Sequence, residues 1–212
     1  MSMIDNYVHV AGDSETPPGF HKACAISLAA ACLQNRVWAS TTKLSKLYPN
    51  LYTILLAPSG AGKGQAIQYA LSYLNDDQKA GTGLYTGKAT GAFLTDFLNS
   101  NSGKLEDGTT RVFLVYPELA NSLGRKDLAQ DFVTTVTDLF TGDLPTFMHG
   151  TRTSGLVKVG RPCVNWLAGS TKEWLGSTLQ SSAVEGGFSA RCMFVEGAYS
   201  AYRKWVPEYP VD

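Results

Sequence analysis

Ala57-Pro58-Ser59-Gly60-Ala61-Gly62-Lys63-Gly64 is the stretch on which the reading of this chain turns. The apolar run Leu51 to Leu56 precedes it, and a helix-forming stretch, Gln65 to Leu74, follows. Strand, glycine turn and helix in that order build a cradle for phosphate. Gly60 and Gly62 let backbone N–H groups turn inward around an anion. The helix behind them aims the positive end of its dipole at the same place. Lys63 adds a full charge for the β and γ phosphates of a nucleotide. Pro58, Ser59, Gly60, Ala61, Gly62, Lys63, Gly64 and Gln65 are therefore the candidate ligand-binding residues. The loop departs twice from Gly-x-x-x-x-Gly-Lys-Ser/Thr: Ala57 stands for the first Gly, and Gly64 takes the place of the hydroxyl residue that ligates magnesium.

Outward from the loop, the sequence alternates strand-like and helix-like segments, which predicts an α/β fold with a largely parallel central sheet. Residues 1–19 are polar, end in Pro17-Pro18-Gly19 and read as an N-terminal arm. Phe20 to Gln34 reads as a buried helix and Arg36 to Thr42 as a short strand. A Gly-rich turn is expected around Gly81 and Gly83, a helix over Thr90 to Leu98, and a polar loop over Asn99 to Thr110. Arg111 to Tyr116 predicts a central strand, and Leu128 to Phe140 an amphipathic helix. Pro145 to Pro162 reads as a hairpin, Cys163 to Ala168 as a further core strand, Lys172 to Leu179 as a helix and Arg191 to Val195 as the last strand. The main domain spans 20–196, and 197–212 form a tail.

The composition suits a globular domain with a full core: 212 residues, 44% hydrophobic and 17% charged. Lys plus Arg (18) equals Asp plus Glu (18), so no global field draws the chain to nucleic acid or anionic membrane. Cys24, Cys32, Cys163 and Cys192 lie far apart and read as small residues of a reducing compartment. His9, His21 and His149 are not spaced for zinc, so no metal-ligand set is assigned. No signal peptide is read, and the apolar run Ala23 to Leu33 is too short to span a bilayer.

Hydrolysis of a nucleotide needs a carboxylate at the end of a neighbouring strand. Glu118 stands there, after Val112 to Tyr116, although Pro117 occupies the place of the preceding acid. The alternative for Glu118 is a solvated residue at a helix start. The third apolar strand offers Asn165, or Ser170 and Thr171, as the polar group that senses a γ-phosphate; Ser170 or Thr171 equally suits a helix cap. Arg191, after the Gly186-Gly187 pair, suits a finger reaching a neighbour's nucleotide, or else a salt-bridged surface residue.

Asn50 to Gly64, Glu118 to Leu123, Pro162 to Thr171 and Gly187 to Arg191 together resemble the ATPase domains of phage- and plasmid-encoded replication proteins of the primase-helicase type. Those are relatives of ring-forming superfamily 3 and AAA+ helicases. The resemblance implies a P-loop NTPase fold of the RecA/AAA+ kind, ATP as ligand, a homo-oligomeric ring (a hexamer) with single-stranded DNA in its pore, and a cytoplasmic place in a bacterial host cell. It implies catalytic roles for Lys63, Glu118, Asn165 and Arg191, and makes the hairpin Thr146 to Val159 the pore element, with His149, Arg152 and Lys158 on DNA phosphates. Both direct magnesium (Mg2+) ligands of that family are missing. A non-hydrolysing, nucleotide-dependent assembly protein is the competing reading. Pro58 to Gly64 also resembles the adenylate kinase loop, but Gln65 stands where those kinases have Thr, and no arginine-bearing lid follows.

Overall fold

A computed structural model describes residues 2–12, 14–42, 45–88, 90–100, 108–123, 126–140, 144–151, 155–178 and 187–199. The chain opens with α1 (Met3–Ala11) and α2 (Pro18–Leu33). An antiparallel ribbon, β1 (Ala39–Thr42) and β2 (Ser45–Leu47), precedes the central strand β3 (Tyr52–Leu56). Then come α3 (Lys63–Ser72), α4 (Asp76–Thr82), β4 (Leu84–Tyr85), α5 (Gly91–Asn99), β5 (Thr110–Tyr116), α6 (Leu119–Leu123) and α7 (Lys126–Asp138). The hairpin β6 (Thr146–Thr151) and β7 (Gly155–Gly160) leads into β8 (Pro162–Ser170), α8 (Lys172–Thr178), α9 (Phe188–Arg191) and β9 (Cys192–Glu196).

Strands β4, β5, β8, β3 and β9 form, in that spatial order, one five-stranded parallel sheet flanked by helices. This is the α/β architecture that the alternating segments predict. Each strand's alternate residues serve a different helical layer. Tyr52, Ile54, Val112, Leu114, Val164 and Trp166 face the layer of α5, α6 and α7. Leu55, Phe113, Val115 and Leu167 face the layer of α1, α2 and α3. Burial on both faces explains why β3, β5 and β8 read as unbroken apolar runs.

The short strands β2 and β4 have no counterpart in the expectation, and two further segments differ from it. The N-terminal arm contains a helix, α1, closed by a capping box: Ser2 Oγ accepts from the Asp5 N–H at 3.1 Å, and Asp5 Oδ2 accepts from the Ser2 N–H at 3.0 Å. Tyr7 and Ala11 of α1 are buried with α2, and Pro17-Pro18 starts α2 rather than a linker. The expected turn at Gly81 and Gly83 is the end of α4, where Gly83 takes the left-handed conformation (φ +62°) of a helix terminus.

Candidate functional site

Strand register decides which groups meet. Leu56 pairs with Ser170 and with Glu196, and Tyr116 with Ala168. The loop after β3, Pro117-Glu118 after β5 and Thr171 after β8 therefore leave the sheet at one edge, the C-terminal one. The order of strands also changes direction there. From β3 the chain crosses to the outer strand β4, returns inward through β5 and β8, then passes over β3 to β9. Ligands of open parallel sheets bind at such a point.

In the loop, Gly60 (φ +79°) and Gly62 (φ +82°) both take the left-handed conformation, which a β-carbon resists. Gly62 is the N-cap of α3 and brings no side-chain cap, so the N–H groups of the first turn face the loop without an intrahelical acceptor. Lys63 is only 5% exposed. Its ammonium donates to the carbonyls of Ala57 (2.7 Å) and Pro58 (3.0 Å), folded against the loop it would share with an anion. Burial holds its pKa below the ordinary lysine value, and the Glu118 carboxylate opposes that shift. The two charges therefore feel each other across the site.

The sheet supports this edge closely. The Ala57 N–H donates to the Ser170 carbonyl at 3.3 Å. A β-carbon at Gly169 would lie 3.4 Å from Lys63 Cβ and 2.4 Å from the Pro117 oxygen. Glu118 is half-buried at the start of α6, where its carbonyl accepts from the Asn121 N–H (3.2 Å). Ser170 is fully buried, and its hydroxyl donates to the Thr171 carbonyl. Thr171 Oγ1 accepts from the Trp174 N–H (3.2 Å), which is the helix-cap alternative for that residue.

Two further residues clasp the loop and were not singled out from sequence. Thr16 is buried, bonds Gln65 Oε1 through its hydroxyl (3.2 Å), and lies so close that a β-carbon at Gly62 would stand 2.7 Å from Thr16 Oγ1. Tyr199, assigned to the tail, donates its hydroxyl to the Ser59 carbonyl at 2.7 Å. Sequence offers no periodic signal for contacts 49 and 140 residues apart.

Asn165 and Arg191 are not brought to the loop. Asn165 pairs with Phe113 in mid-strand. Its Oδ1 accepts from the N–H of Leu51, the residue that enters β3. Five residues of extended strand separate it from Ser170, roughly 16 Å at the usual rise. Asn165 is 1% exposed, and this bond ties it to the entry of β3, away from the loop. Arg191 precedes Cys192, which pairs with Tyr52, so it too stands at the N-terminal edge. There Arg191 donates to the Gly187 carbonyl (2.8 Å) and lies over the Phe140 ring.

The hairpin also divides its candidates. His149 pairs with Val157 and Phe147 with Val159 on one face, whose Val157 and Val159 join the core. Met148 pairs with Lys158 on the other, exposed face. His149 is half-buried and stacked on Phe147, whereas Lys158 is exposed to solvent. Arg152 lies outside the described residues.

Among the described residues no group of His, Cys, Asp or Glu side chains is arranged to hold a metal ion, and no helix is long and apolar enough to cross a membrane. All four cysteines are unpaired, and burial pushes the Cys24 thiol up to about 12 and Cys163 up to about 11, which suits packing rather than chemistry. No protein-family model matches the chain, and no curated protein matches it.

Proposed function

We propose that this protein is a P-loop NTPase that binds the polyphosphate of ATP at residues 57–65 and serves as a ring-forming, helicase-like subunit in DNA replication. One observation carries the binding part. An uncapped α3 N-terminus stands behind two left-handed glycines, with Lys63 buried among them, at the edge where the parallel sheet changes direction. In this reading the N–H groups and Lys63 hold the phosphates, and Glu118 orients the attacking water. Arg191 stands at the far edge of the sheet from its own loop, and in this reading it serves a neighbour's nucleotide. In this reading Lys158, on the exposed face of the hairpin, meets a DNA phosphate.

The test is ATP turnover with and without single-stranded DNA, with the assembly sized in parallel. The expected result is an ATP-dependent oligomer whose turnover rises with DNA, vanishes in Lys63→Ala and falls in Glu118→Gln and Arg191→Ala. A monomer that binds no nucleotide overturns the proposal, as does one that phosphorylates a small acceptor.

A second reading, an ATP-dependent assembly protein without turnover, is favoured by one contact. A β-carbon on Gly64 would stand 4.0 Å from Pro117 Cβ, so the two lost magnesium ligands are lost from one spot. Rings that form with ATP and never hydrolyse it decide for that reading.

A further inference from the structure

We infer that the loop takes its polyphosphate without any metal ligand from the protein, so that nucleotide affinity is insensitive to divalent cations. This rests on the nucleotide-binding reading above. P-loop proteins hold magnesium from two directions, a hydroxyl directly after the lysine and an acid at the end of the neighbouring strand. The residues in those two places here are Gly64 and Pro117, and they face each other, with a Gly64 β-carbon 4.0 Å from Pro117 Cβ. The polar groups around them are committed elsewhere. Gln65 Oε1 accepts from Thr16, Thr171 Oγ1 caps α8, and Ser170 is fully buried and donates to Thr171. The Glu118 carboxylate interacts with the Lys63 charge. Magnesium demands a near-ideal octahedron of oxygens, drawn from protein, phosphate and water, and among the described residues none is brought to the spot between Gly64 and Pro117. Charge on the phosphates is met instead by Lys63 and the α3 N-terminus.

A fluorescent ATP analogue is titrated into the full chain in excess magnesium and again in excess EDTA, with Lys63→Ala as the blank. The dissociation constants are expected to agree within about threefold, less than 1 kcal/mol. Gly64→Ser with Pro117→Asp restores both ligands, and a serine β-carbon has room. This double variant is expected to bind at least about tenfold more weakly in EDTA than in magnesium. A wild-type chain that loses about tenfold or more in EDTA overturns the inference, and the wild-type comparison decides alone if the double variant does not fold. Binding no better than the blank in both buffers overturns the nucleotide reading itself, a result distinct from metal dependence.

Discussion

Gly169 packs directly against the carbonyl of Pro117: a β-carbon at 169 would stand 2.4 Å from that oxygen. The contact sets the distance between the end of β8 and the segment carrying Glu118. Backbone blocks the space, not the end of a flexible side chain, so Gly169→Ala must push Pro117 and Glu118 outward. The expected cost is about 1–3 kcal/mol of stability, read by urea unfolding, together with weaker ATP binding. Native values for both would show that this approach does not seat the site.

Asn165 separates a structural role from a catalytic one. Truncation to Ala leaves the partly buried Leu51 N–H without its 2.9 Å acceptor, a loss of about 1 kcal/mol. ATP affinity is expected to stay at the wild-type value because Leu51 enters β3 at the edge away from the loop. A variant of full stability and impaired turnover would return Asn165 to the catalytic set.

The two faces of the hairpin predict unequal effects on DNA. Lys158→Glu is expected to weaken single-stranded DNA binding and to lower the salt dependence by about one phosphate contact. His149→Ala is expected to leave DNA binding unchanged, since His149 stacks on Phe147 on the face that joins the core. Equal losses from both would mean that the hairpin does not meet DNA through its exposed face.

His21 makes the N-terminal layer sensitive to acid. It is buried among Tyr7 and Tyr69, with Nε2 2.6 Å from Ser14 Oγ and, among the described residues, no hydrogen-bond partner at Nδ1. Burial lowers its pKa from the ordinary 6.5. Above pH 6.5 both the folded and the unfolded chain hold it neutral, and its contribution to stability is complete. Below that value the unfolded chain takes up a proton that the folded chain resists, so stability falls until the lower folded pKa is reached. Urea midpoints above and below pH 6.5 should therefore diverge more for wild type than for His21→Asn. Identical pH profiles would remove His21 as the cause.

Local chemistry made much of the chain legible. Apolar runs marked β3, β5 and β8, because a strand buried on both faces cannot alternate. The glycine pattern and Lys63 marked the phosphate cradle, because left-handed backbone and an uncapped helix are properties of adjacent residues. The capping box of α1, Ser2 with Asp5, is a local signal of the same kind.

What the sequence by itself determined is the core strands, most of the helices and the loop, since periodicity and turn chemistry act over a few residues. Tertiary structure alone decided which edge of the sheet each polar residue occupies. The pairing of Leu56 with Ser170 and of Tyr52 with Trp166 carries Glu118 and Ser170 to the loop and leaves Asn165 and Arg191 at the other end. It also brought Thr16 and Tyr199 against Gly62 and Ser59, and set Gly64 opposite Pro117. Register and strand order depend on the packing of whole helical layers against the sheet, and no single segment encodes them.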